Sequence, residues 1–148
     1  MKQALKCKSC QAFLTVPVWI YDESLGRRKQ NKGWARIPAP EGSNLPEITM
    51  QGGFGDYMCP KDTALKYEKP QKHEPMNGFE YSIRPDSLTD AAKQNKHWKI
   101  ECCGVYPSGK PNLSCTCGNP IGLEFGDCYT QKYILPLPRN TKWQNVKS

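Results

Sequence analysis

Branched aliphatics and phenylalanine are scarce in this chain: Val, Ile, Leu and Phe together make up 25 of its 148 residues, below the roughly 20% at which a purely hydrophobic core becomes doubtful. A core that thin needs help from another kind of link. Histidine is nearly missing, with two copies, His73 and His97. Catalytic zinc usually combines three protein ligands, often His or a carboxylate, with one open position, so the sequence argues against a catalytic metal. No apolar run approaches the roughly 20 residues of a membrane-spanning helix. The longest, from Phe13 to Tyr21, is interrupted by Thr15 and Pro17. The opening MKQALKCKSCQAFL holds no apolar stretch of signal-peptide length, so a cytoplasmic setting is expected. Nucleophile-elbow, Walker and dinucleotide fingerprints are missing too. Gly52-Gly53-Phe54-Gly55 lacks the lysine and helix of a phosphate loop and reads as a turn.

What the chain does have is eight cysteines. In a reducing compartment, cysteines at close spacing point to metal before disulfide. Cys7-Lys8-Ser9-Cys10 is a knuckle of the kind that brings two thiolates to one ion while backbone amides support the sulfurs. Cys115-Thr116-Cys117-Gly118 is a second, one residue tighter, whose glycine can take a left-handed conformation. Together, Cys7, Cys10, Cys115 and Cys117 would close a tetrahedral structural Zn2+ site across roughly a hundred residues of chain. Cys102, Cys103 and Cys128 stand as alternates. Cys102 or Cys103 could replace one of the second pair, and Cys103 with Cys128 could form a reactive redox pair, although Asp127 opposes a thiolate at Cys128. Cys59 reads as a buried free thiol.

The length allows one ordinary domain, residues 1–148. Extended segments are expected at 13–21, with Pro17 marking an edge or bulge, and at 33–37, 48–51, 79–83, 98–104, 122–125 and 131–138. Residues 22–47 and 60–78, rich in glycine, proline and polar groups, read as irregular excursions. After Pro85, DSLTDAAKQNKHW offers a cap at Asp86 or Ser87 and helix formers at Ala91 and Ala92, which predicts one short helix near 87–96. The fold expected is mostly β (α+β): a small zinc-clasped sheet of zinc-ribbon or tent-like form.

The formal charge of +7 is spread evenly along the chain, which fits ordinary solubility better than a polyanion-binding tail. A zinc ion with four thiolates would lower it to +5. One segment, GRRKQNKGWAR, gathers Arg27, Arg28, Lys29, Lys32 and Arg36 around Trp34 with no acid among them. Cations for phosphates and an aromatic for stacking are what nucleic acid requires.

CKSCQAFLTVPV, KIECCGVYPSGKPNLSCTCG and GDCYTQKYILPLP together resemble a set of small bacterial zinc-ribbon-like proteins of unknown function. The shared pattern is a Cys-x-x-Cys opening, a Cys-Cys-Gly turn, an Asn-Leu-x-Cys segment closing on Cys-Gly, and a late Asp-Cys-aromatic-Thr. Those proteins tend to carry Cys-x-x-Cys where this chain has Cys115-Thr116-Cys117, and Gly-Pro-Asn where it has Lys110-Pro111-Asn112. The resemblance implies a zinc-ribbon-like protein and no activity. The function expected is a structural-zinc module that recognises a protein partner and touches no membrane. Nucleic-acid binding through residues 27–36 is the alternative, and a thiol redox enzyme the second.

Overall fold

A computed structural model describes residues 1–28, 34–51, 59–73, 76–101, 104–105, 110–126 and 132–146. The described residues are mostly β, with two short 3-10 turns at Glu23–Leu25 and Pro85–Ser87. The strands are β1 (Gln3–Cys7), β2 (Trp19–Asp22), β3 (Arg27–Arg28), β4 (Trp34–Ile37), β5 (Ile48–Gln51), β6 (Thr63–His73) and β7 (Met76–Ile83). There follow β8 (Ala92–Gln94), β9 (Ile100–Glu101), β10 (Gly104–Val105), β11 (Leu113–Cys115), β12 (Pro120–Phe125), β13 (Tyr133–Pro136) and β14 (Thr141–Asn145). No helix among the described residues is long and apolar enough to cross a membrane.

Seven strands form the main sheet in the order β2-β6-β7-β13-β12-β11-β8. Its one parallel pair, β2 with β6, needs a long crossover, and that crossover carries the antiparallel sheet β3-β4-β5. The central strands are buried on both faces, which explains the consecutive buried run Thr63, Ala64 and Leu65. Neighbouring positions feed different cores. Leu65, Leu123 and Leu135 pack with Ile37 and Ile48 of the three-stranded sheet. Ala64, Ile83 and Ile134 pack with Leu5, Leu14 and Val18 from the N-terminal segment. A bulge on β12 sets Ile121 with the second group although Leu123, two residues on, belongs to the first. Aromatics supply what the aliphatics lack, with Tyr21 and Phe79 wholly buried in the first core.

The predicted helix near 87–96 does not form. Leu88 bridges Thr15, the Thr89 amide donates to Leu14 O, and Ala92–Gln94 pairs with β11. The segment's backbone groups are taken by neighbouring strands, and Leu88, Ala91 and Ala92 reach the second core from that extended path. The predicted excursions are also more regular than expected. Besides the extended segment expected at 33–37, seen as β4, residues 22–47 hold β3, and residues 60–78 hold most of the longest hairpin. Polarity misleads there because β6 begins buried, at Thr63, Ala64 and Leu65, and Glu68, Lys69 and Pro70 further along are exposed. Lys66 faces Tyr81 while Gln71 already faces Phe79, so the strand bulges around Pro70, the residue that cannot donate to a ladder.

Candidate metal centre

The first knuckle sits at the tip of a tight antiparallel turn. Leu14 N donates to Leu5 O, Cys7 N to Ala12 O, and Gln11 N returns to Cys7 O. Gln11 closes this turn at φ 66, a left-handed conformation unusual for a residue with a side chain. The second knuckle is the tip of the β11–β12 hairpin. Gly118 N returns to Cys115 O, Cys115 N donates to Asn119 O, and Gly118 has φ 91. The two loops therefore share one design, with the left-handed residue directly after the second cysteine of each pair.

Packing brings the two tips together. Cys7 and Cys115 are buried members of the second core, whereas Cys10 and Cys117 are exposed. All four sulfurs lie within 4.8 Å of one another. Cys7 Sγ is 3.7 Å from Cys117 Sγ, and Cys10 Sγ is 3.4 Å from Cys115 Sγ. A tetrahedral ion with metal–sulfur bonds of about 2.3 Å has sulfur–sulfur edges of about 3.8 Å. Donor type, number and spacing all fit one metal ion. The five described cysteines are free thiols, and Cys59 is buried in the first core, apart from this cluster.

Two asparagines that the sequence reading missed frame the centre. Asn119 Nδ2 donates to Cys7 Sγ at 3.2 Å and to Asn140 O at 3.3 Å. Asn140 O also accepts from Lys8 N at 3.0 Å, and Asn140 Nδ2 donates to Pro120 O at 2.7 Å. Both knuckles and the turn before β14 are thus tied by amides. The available signal was the polar Asn119 directly after Cys117-Gly118, where a side chain can turn back on the sulfurs.

Electrostatics separates the four thiols. Burial pushes the Cys7 thiol up, but hydrogen bonds from the Asn119 side chain, from the Cys10 and Ser9 backbone and from Cys117 outweigh it, bringing it from 9.0 down to about 6. At Cys10 the Ala12 backbone favours the thiolate, yet Cys115, burial, Cys117 and Cys7 together push it up to about 12. One proton leaves easily and another is held hard. Four negative sulfurs in this space require a cation. An ion held by all four would have a closed shell, with no position left for water or substrate.

Of the other expected site residues, Arg27 and Arg28 lie in β3, and Trp34 and Arg36 in β4. Arg27 registers opposite Arg36, and Arg28 opposite Ala35. Arg36 is not without an acid, because Glu47 approaches its guanidinium at 3.8 Å with both groups exposed. Lys29, Lys32, Cys102, Cys103, Cys128 and the Gly52–Gly55 run lie outside the described residues. His97 is half-buried on the turn after β8.

Compared with protein-family models, with curated proteins and with solved structures, the chain finds no match.

Proposed function

We propose that this chain is a structural-zinc binding module, zinc-ribbon-like at its clasp, whose surface recognises a protein partner. The observation that carries the reading is the convergence of Cys7, Cys10, Cys115 and Cys117 within 4.8 Å. Four thiolates suit zinc or iron. Zinc is preferred because its filled shell imposes no geometry of its own on sulfurs spaced at 3.4 and 3.7 Å. Elemental analysis should find one zinc per chain, and Cys7→Ser should release it while Cys59→Ser should not. A zinc-free protein with intact folding, or an iron-coloured one, overturns this half of the reading.

Support for a protein partner comes from a groove of about 270 Å³ lined by Tyr81, Pro136, Pro138 and Trp143, with Glu80 and Lys142 beside them. The Tyr81 and Trp143 rings meet at 5.1 Å between centroids and are tilted by 51° to each other, an aromatic corner of the kind that anchors a polypeptide at an interface. Affinity capture from the native cell with wild type and with Tyr81→Ser tests it. A partner retained only by the wild type supports the groove, and identical recoveries count against it.

Nucleic-acid binding is the second reading, favoured by register. Ile37 is buried, so Arg36, with Thr49 opposite it, falls on the outward face of the three-stranded sheet, and Arg27 of β3 stands in register with Arg36. This reading expects single-stranded DNA binding that collapses between low and moderate salt and weakens in Arg27→Ala/Arg36→Ala.

A further inference from the structure

Beside the second knuckle, on the side away from β12's partner β13, the turn after β8 meets β11 across an open surface cavity of about 530 Å³. Asn95 ties one side of its frame together. Asn95 Nδ2 donates to Pro111 O and to Ser114 Oγ, both at 2.9 Å, its Oδ1 accepts from His97 N at 2.8 Å, and its own amide donates to Asn112 O at 3.0 Å. The next residues are pinned as well, since Trp98 Nε1 donates to Glu124 Oε2 at 2.8 Å. Around this frame stand the side chains of Lys96, His97 and Lys110, with Pro111, Ser114 and Pro120 completing much of the wall. Among the described residues, no carboxylate lines the cavity.

We propose that this cavity binds the phosphate monoester of a flat aromatic compound, with the phosphate between Lys96 and Lys110 and the ring against Pro111 and Pro120. Charge sets the head group: two ammonium groups match the near-double negative charge of a monoester at neutral pH, whereas a carboxylate leaves one unmatched. Shape sets the body: the volume falls in the range of small-ligand pockets, and inorganic phosphate would occupy a small part of it. The proline rings offer flat apolar surface for stacking, and the Ser114 hydroxyl adds one polar contact. His97 records the same field, because partial burial, then Lys110, Lys96 and Lys99, hold its imidazole below the ordinary 6.5. The lysines that disfavour an imidazolium favour an incoming anion. This inference does not depend on which metal the cysteines hold, nor on the identity of a protein partner.

Titration calorimetry of the metal-loaded full chain with AMP tests the proposal, with adenosine and inorganic phosphate as half-probes. AMP should bind about tenfold or more tightly than either half, and Lys96→Gln and Lys110→Gln should each weaken AMP about five- to tenfold. Lys61→Gln, exposed on the turn before β6 and outside this cavity, should leave the affinity unchanged. Both lysines of the cavity are exposed, and retained metal content shows that each variant is folded. No AMP binding at millimolar concentration overturns the proposal. So does equal affinity for AMP and inorganic phosphate, or equal affinity of AMP for the wild type and the two cavity variants.

Discussion

Asn119 is the residue on which the character of the Cys7 sulfur turns. Its amide reaches Cys7 Sγ at 3.2 Å and belongs to the group of hydrogen bonds that bring that thiol down to about 6. In the metal-free protein, a thiol depressed in the fold contributes stability that is complete above its unfolded value near 9 and is lost as pH falls through 6. Thiolate absorbance should therefore show one group titrating near pH 6 in the metal-free wild type, and Asn119→Ala should move that step upward. If the step stays near pH 6 in the variant, the asparagine is only a strut between the loops. The same variant should weaken metal retention about tenfold or more in a competition with a chromophoric chelator.

Among elements, the β12–β13 pair is a close joint. A Cβ on Gly122 would lie 2.8 Å from Leu135 O and 3.3 Å from Pro136 Cα, both backbone atoms of β13. Gly122→Ala should therefore part the two strands, at a cost of about 2 kcal/mol, and lower the melting temperature by about 4–8 °C. Gly118→Ala makes a useful contrast, because nothing lies within 4 Å of the added carbon and only the positive φ is strained; its loss should be nearer 1 kcal/mol. A larger melting shift at Gly118 than at Gly122 would reverse this order. Strands read from short apolar and aromatic segments, such as 79–83 or the run around Tyr133–Pro136, are present, although Phe79 packs in the first core and Ile83 in the second. The four clustered cysteines were legible because short-range spacing carries the knuckle. What spacing could not convey was long-range pairing. The segment after Pro85 has caps and alanines suited to a helix, yet β11 and residues 14–16 take its hydrogen bonds. β1 and β14 are short, polar strands whose partners are each other, and neither announces itself locally. Asn112 was invisible in the same way: fully buried, it trades both side-chain groups with the Glu124 peptide, at 2.9 and 2.7 Å, like one more rung of a ladder.

At the scale of the whole molecule, the two cores make unequal use of the cysteine centre. Cys7 and Cys115 belong to the second core, with Leu5, Leu14 and Ile121, whereas the first core, around Tyr21, Leu65 and Phe79, includes neither. Chelation should therefore accelerate amide exchange at Ala4–Cys7 and in β14 by at least tenfold before it affects β6 and β7. Uniform acceleration would show instead that both cores rest on the metal. The β1–β14 pairing also orders events in time. Gln3 finds its partner at Asn145 and Cys7 at Thr141, so during synthesis at about 5–20 residues per second the first strand waits on the order of ten seconds for the strand that will cover it. The first knuckle therefore precedes the second in synthesis, and the four-sulfur cluster can close only once Cys115 and Cys117 have followed.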